Sequence, residues 1–301
     1  MANVKGIFIS AKELSKGVVR RFYDALEQGA IVKEILPDDD ESFGNDGIAL
    51  MLGAELRGLY TYKAFASLQA GTTLYYPYGG MLVEDRYTSR HQALIESLMR
   101  QLKSDEKVCI MISLDQQPID AVNNNAEEEA FWLDRGFSHL DVQVFYQGIV
   151  KYDDSPKKLD FSVSKYAGGD HAMNLELCNL YRKAYDRRAG VPDITPKNIN
   201  EQLSIPGCSY LVMRHKDELI GQVTLFISKQ ECYVDSIYVK RSYWGTGAAD
   251  TLTQSLFDYA ATKGCQTLSG VAASNNQASR ALMERFGLIA QHSVKRMTIS
   301  L

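Results

Sequence analysis

Two kinds of apolar pattern alternate along the chain. In the second half, residues 161–166 alternate apolar and polar positions with a period of two, which predicts a strand. Residues 171–188 then carry Met173, Leu175, Leu177, Leu180, Tyr181 and Tyr185 near helical spacing. A short helix is predicted over 196–203, with Thr195 as N-cap and Pro196 at the first helical position. Three strand-like stretches follow closely, 209–214, 219–228 and 231–239. Only short polar runs, 215–218 and 229–230, separate them, as in an antiparallel meander. Residues 245–263 read as a helix with Ala249, Leu252, Leu256 and Tyr259 on one face. Residues 267–273 read as a buried strand, 276–286 as a helix stopped by Gly287, and 290–301 as strand.

The first half repeats this order less cleanly. Strands are predicted at 4–10, 47–52, 58–66, 72–83, 108–114 and 142–150. Helices are predicted in part of 14–36, over 90–104 and over 127–135. Asn125 to Gly136 and Asn276 to Gly287 have the same spacing, and each is followed by strand. The stretch Leu82-Val83-Glu-Asp-Arg-Tyr87 parallels Tyr238-Val239-Lys-Arg-Ser-Tyr243. A repeat of half the chain points to tandem domains rather than a short-period solenoid. The polar run 151–160 is the expected linker, which divides the chain into units 1–152 and 160–301.

Composition narrows the class. At about 150 residues per domain, 301 residues fit two domains. The 45 % hydrophobic content supplies apolar material for two cores and argues against disorder. No apolar run approaches the ~18 residues of a membrane helix. The N-terminus lacks a basic region followed by an apolar stretch, so no secretory signal is expected. The five cysteines are widely spaced with no CxxC pair, which fits a reducing cytoplasm better than a disulfide framework or a zinc site. No HxxxH or HExxH occurs, so no metal is expected in the chemistry. The acidic run 38–41 reads as a solvated loop. Net charge is −4, which gives no reason to expect a nucleic-acid partner. It is split as −9 over residues 1–155 and +5 over 156–301, so the second half is the better place for a phosphorylated ligand.

The segment richest in chemical information is Tyr233-Val-Asp-Ser-Ile-Tyr-Val-Lys-Arg-Ser-Tyr-Trp-Gly-Thr-Gly-Ala-Ala249. A strand enters a loop of small residues that opens a helix. The first turn of a helix has N–H groups with no intrahelical acceptor, and the dipole places positive potential there. Glycine and alanine let an anion approach that backbone. Neither the Rossmann fingerprint nor the P-loop is satisfied.

With its second motif, Asn276-Gln-Ala-Ser279-Arg280-Ala-Leu282-Met-Glu284-Arg-Phe-Gly287-Leu288, this layout resembles the GNAT superfamily of N-acetyltransferases over roughly residues 160–301. The resemblance implies an α/β (α+β) fold of two tandem GNAT-like domains. Each would have a mixed, mainly antiparallel sheet flanked by helices. It also implies an acetyl-CoA-dependent enzyme acting on a small-molecule or peptide amine. The pyrophosphate would lie on Trp244, Gly245, Thr246, Gly247, Ala248 and Ala249. The pantetheine arm would lie along Ile237, Tyr238 and Val239, with Asn276, Ser279 and Leu282 beside the cofactor. The pattern's leading Gln or Arg is Trp244 here, and Met283 stands where many members carry an acid tyrosine.

Acetyl transfer requires a neutral amine, so a base must take its proton. The resemblance points to Asp235, a carboxylate on an otherwise apolar strand, where burial without a partner is costly. An oxyanion contact is expected from a strand N–H near Tyr238. Tyrosines around 181–185 are candidates for the acceptor pocket. In the first half the matching loop, residues 88–93, has lost its glycines, and Gly79-Gly80 replaces Asp235-Ser236. That half is expected to be a degenerate copy whose acidic surface forms one wall of the acceptor cleft. The alternatives are a non-catalytic acyl-CoA-binding protein, a different acyl chain or a different acceptor atom.

Overall fold

The computed structural model describes residues 7–11, 14, 46–52, 55–68, 72–83, 96–98, 100, 107–114, 117–118, 126–150, 161–185 and 191–300. The expectations for 15–36, 38–41, 88–93 and the linker 151–160 lie outside these residues.

In the first half the strands are β1 (Ile7–Ser10), β2 (Gly47–Leu52), β3 (Glu55–Ala66), β4 (Thr72–Val83), β5 (Lys107–Ser113), β6 (Gln117–Pro118) and β7 (Ser138–Ile149), with helix α1 (Ala126–Leu133) before β7. The second half runs β8 (Ser162–Tyr166), α2 (His171–Ala184), α3 (Pro196–Ser204), β9 (Cys208–His215), β10 (Glu218–Ser228) and β11 (Glu231–Val239). It continues through α4 (Ala248–Thr262), β12 (Thr267–Ala273), α5 (Gln277–Arg285) and β13 (Ile289–Ser300). The meander β9–β10–β11 turns at Lys216 and Lys229, both at φ 54°, in the two polar runs that the pattern marked as turns.

Among the described residues these strands make one 13-stranded sheet, ordered β1-β2-β3-β4-β5-β13-β7-β12-β11-β10-β9-β8, with β6 beside β13. The order is symmetric about its centre. Within each half three antiparallel pairs lead to one parallel pair, β4–β5 or β11–β12. The last strand of each half is exchanged. β7 pairs with β12 from Thr267↔Ile149 to Ala273↔Gln143, and β13 pairs with β5 from Arg296↔Ser113 to Ser300↔Cys109. The two exchanged strands pair with each other at the centre.

The exchange extends to the cores. Val144 and Tyr146 of β7 are buried among Val234, Leu252, Leu268 and Met283 of the second half. Met297 of β13 is buried with Trp132, Phe137 and Ile110 of the first. Each buried side chain of this size contributes roughly 1.5–3 kcal/mol, so each half draws part of its stability from the other's last strand. Arg296 of β13 forms a two-pronged ion pair with Asp141 of β7, at 2.6 and 2.5 Å.

Local chemistry explains the helices around the site. Asp170 caps α2 by accepting from Ala172 N and Met173 N. Thr195 and Asn198 form a capping box on α3, with Pro196 at its start as the sequence pattern expects. α2 and α3 bury Met173, Leu177, Cys178 and Ile199 on one face of the sheet, against Tyr210, Val212 and Tyr238. α4 and α5 cover the other face. The buried hydroxyls of α4 bond back one turn, Thr251 to the Gly247 carbonyl (3.0 Å) and Ser255 to the Thr251 carbonyl (2.9 Å). They therefore lie in the core with partners.

Candidate active site

The site is built on β11. This strand pairs with β10 from Gly221↔Val239 to Ser228↔Glu231 with one break: Thr224 faces Ser236, and Leu225 faces Val234. Asp235 is the extra residue of a β-bulge, a feature that re-aims side chains. Val234, Ile237 and Val239 pack on the α4/α5 side, and Tyr238 on the α2/α3 side. Asp235 acts electrostatically on Tyr181, Cys208 and Tyr210, which puts it on the same α2/α3 side as Tyr238, next to Ser236.

The bulge coincides with a fork. β11 runs parallel to β12 only from Glu231↔Thr267 to Val234↔Gly270, and beyond it β12 continues against β7. The N–H of Lys240 donates to the Ile220 carbonyl at 2.7 Å. By strand alternation the N–H and C=O of Tyr238 also face β10, while those of Ile237 and Val239 face the opening. The N–H of Tyr238 belongs to the sheet, and the donors near it that face the fork are those of its two neighbours.

Asp235 keeps an exposed face on β11. Desolvation by the surrounding protein raises its carboxyl above the usual range, opposed in part by Ser236. Its charge is felt by Tyr181, Tyr210 and Cys208; burial, with Asp235 second, pushes the Cys208 thiol up to about 11. Tyr181, Tyr185 and Tyr238 meet with ring centroids 4.8–6.0 Å apart. The Tyr238 hydroxyl accepts from Gln222 Nε2 at 2.9 Å, and the same amide donates to Thr224 Oγ1 at 3.1 Å. Gln222 Oε1 is buried with no partner among the described residues.

The first half borders this side. The N–H of Leu68 donates to the Val191 carbonyl (3.1 Å), and that of Asp193 to the Ala66 carbonyl (2.7 Å). Tyr181 anchors the same segment through its hydroxyl to the Pro192 carbonyl (3.0 Å), and Arg182 grips Asp193 with two hydrogen bonds.

After Val239 the chain makes a 3₁₀ turn, Arg241–Tyr243, and two left-handed glycines, Gly245 (φ 76°) and Gly247 (φ 86°). L-residues resist that conformation, so α4 begins at Ala248 with Gly247 as its N-cap, three residues later than the apolar pattern predicts. Thr246 closes the loop, its hydroxyl donating to the Tyr243 carbonyl at 2.7 Å. Tyr243 is itself held by Glu218 (2.8 Å), which also takes Lys240 (2.7 Å). A Cβ at Gly245 would meet nothing within 4 Å, so the outer side of the loop is open. Such a start of helix presents unpaired N–H groups to an anion.

α5 forms the opposite wall. Asn276 caps it by accepting from Ser279 N at 3.2 Å, so these two act as a pair within the helix start. Leu282 and Met283 join Val234, Ile237, Phe257 and Phe286 around an apolar cleft between α4 and α5. A Cβ on Gly270 would sit 3.1 Å from Met283 Cε, so Met283 lies over the fork, and a thioether carries no proton to give. Ser236, Gln222 and Tyr146 were not singled out by sequence. Tyr146 comes from the exchanged strand β7, and its hydroxyl accepts from Arg280 Nε of α5.

Residues 174–288 match the profile of the acetyltransferase (GNAT) family. No curated protein matches the sequence. Among solved structures, a tandem GNAT protein from the clavulanic acid biosynthesis pathway superimposes with TM-score 0.70 at 13 % identity, over 98 % of each chain. A GCN5-related N-acetyltransferase from Sphaerobacter thermophilus gives 0.62 at 14 % identity, over 97 % of this chain and 95 % of the other. The glucosamine N-acetyltransferase region of a fungal multi-domain β-N-acetylglucosaminidase gives 0.71 at 10 % identity, over 99 % of this chain and 38 % of that one. At these identities the likeness is one of fold. Residues 174–288 therefore match the acetyltransferase (GNAT) family model, and the chain has the fold of tandem GNAT proteins.

Proposed function

We propose that the protein transfers an acetyl group from acetyl-CoA to an amine, small molecule or peptide, by direct attack of the amine on the thioester. The observation that carries this reading is the fork at Asp235. A carboxylate with a raised pKa lies where β11 and β12 part, one strand-length from the glycine-hinged start of α4. Residues 244–249 hold the pyrophosphate on main-chain N–H groups. The outward N–H and C=O of Ile237 and the N–H of Val239 hold the pantetheine arm, and Leu282 and Asn276–Ser279 flank it. Residues 160–301 act as the acyl-CoA unit, and residues 1–152 as a degenerate copy that borders the acceptor side.

The amine arrives as an ammonium ion on the Tyr181–Tyr185 side and gives a proton to Asp235, directly or through water. A carboxyl raised above its ordinary range does this better than an unshifted one. The freed nitrogen forms a bond to the thioester carbonyl, the carbonyl oxygen is met by an N–H at the fork, and the C–S bond then breaks. The nitrogen loses its second proton to solvent as the amide forms, and a thiol of pKa about 8.5 leaves as the thiolate and is protonated from solvent. The methionine at 283 is therefore compatible with turnover.

That methionine is also the specific observation favouring a second reading, a binding protein that holds acyl-CoA without turnover. One assay separates them: thiol release from acetyl-CoA across a panel of amines, with wild type and Asp235→Asn. Transfer is expected in wild type, with turnover falling about 10²–10⁴-fold in the variant. Binding without release on any amine favours the second reading.

A further inference from the structure

Trp244 occupies the position where the resembled loop pattern has Gln or Arg. Its surroundings suit a different task. The exposed large hydrophobic side chains among the described residues are aliphatic but for Trp244, which is 57 % exposed. Yet the ring is fixed, because its Nε1–H donates to the Val239 carbonyl at 3.0 Å. An indole left in water forgoes the stabilisation of burial, and one already held in place loses little freedom when a planar ligand settles on it.

Arg241 lies over the ring, its guanidinium carbon 5.4 Å from the centroid. Among the described residues Arg241 makes no ion pair, whereas its neighbour Lys240 is tied to Glu218. An available guanidinium and a fixed aromatic surface thus stand at the mouth of the loop, six and three residues before the helix cap at Gly247.

Taking residues 244–249 as the donor's phosphate segment, on which this inference rests, we infer that Trp244 and Arg241 bind the phosphoadenosine half of acyl-CoA. The indole offers a stacking surface to the purine. The guanidinium supplies the positive charge that the loop position itself has lost, and it does so without occupying the main-chain cradle. Guanidinium–indole stacking keeps the charge beside the ring and leaves its N–H donors at the edge, where a phosphate reaches them.

The chain has two tryptophans, and the other, Trp132, is 1 % exposed, so quenching of the exposed indole reports on Trp244. The test titrates wild type, Trp244→Ala, Trp244→Phe and Arg241→Gln with acetyl-CoA, acetyl-3′-dephospho-CoA and S-acetyl-4′-phosphopantetheine. Affinity is measured by calorimetry, and wild type is also followed by fluorescence. Wild type is expected to be quenched by acetyl-CoA and to bind it roughly 10- to 100-fold more tightly than the adenosine-free probe. Trp244→Ala should lose most of that ratio, and Trp244→Phe should keep most of it. Arg241→Gln should weaken acetyl-CoA binding and flatten its salt dependence. Equal affinity of wild type for acetyl-CoA and the adenosine-free probe, or an undiminished ratio in Trp244→Ala, overturns this inference and leaves the donor-site reading standing. If wild type binds none of the three, the donor-site reading fails and this inference fails with it.

Discussion

The hydroxyl of Tyr146, on the strand that the first half lends to the second half's sheet, accepts a hydrogen bond from Arg280 Nε at 3.1 Å. Tyr146 is 1 % exposed, and Arg280 belongs to the helix that walls the candidate acyl-CoA cleft. The cleft wall therefore leans on the other half of the chain. Residues 160–301 expressed alone lack β7 and leave the β12 edge unpaired, which invites aggregation. That fragment is expected to be insoluble or poorly folded, and co-expression with residues 1–159 should restore soluble complex. In the intact chain, Tyr146→Phe should cost about 1 kcal/mol in chemical denaturation.

A second link between the two halves is ionic and joins the exchanged strands. Arg296 and Asp141 are 14 % and 17 % exposed and joined by two hydrogen bonds. Removing one partner leaves a charge in a poorly solvated place. Asp141→Ala is expected to destabilise by roughly 3 kcal/mol. The double variant Asp141→Ala/Arg296→Met should recover part of that loss, and denaturant midpoints of the three variants give the coupling directly.

Asp235 links stability to pH. Its carboxyl is raised in the folded state, so between the unfolded and folded pKa values the native protein binds more protons than the unfolded chain. Stability falls as pH climbs through that window and stays lower above it; below the unfolded value the term vanishes. Asp235→Asn is expected to match wild type near pH ~3, below the ordinary Asp pKa of about 3.9. It should melt at a higher temperature than wild type at pH 7, while losing turnover. A variant that melts lower than wild type at pH 7 contradicts the assignment of burial as the cause.

Much of the fold was legible because the pattern reports local geometry. Glu231–Val239 and Thr267–Ala273 end where alternation ends, and Thr195–Pro196 starts α3 as its chemistry requires. The exchange of β7 and β13 was not legible. Both are long strands, and alternation records which side is buried but not whose sheet supplies the neighbours. Asp235 stood out as a carboxylate on an apolar strand. The bulge that turns it to the same side as Ser236 and Tyr238 depends on register with β10, which no single strand encodes. The helix start was misplaced because Gly245 and Gly247 continue the apolar rhythm while their positive φ breaks the helix.

The claim on which the rest depends is that the loop before α4 is a donor cradle made of main chain. Gly247 is its left-handed N-cap, so Gly247→Glu places strain, bulk and negative charge at the expected pyrophosphate position. Calorimetry of acetyl-CoA binding to wild type and to this variant tests it, with circular dichroism showing that both are folded. One equivalent bound by wild type, and none by a folded variant, is the predicted result. No binding to wild type, or equal binding to both, contradicts it.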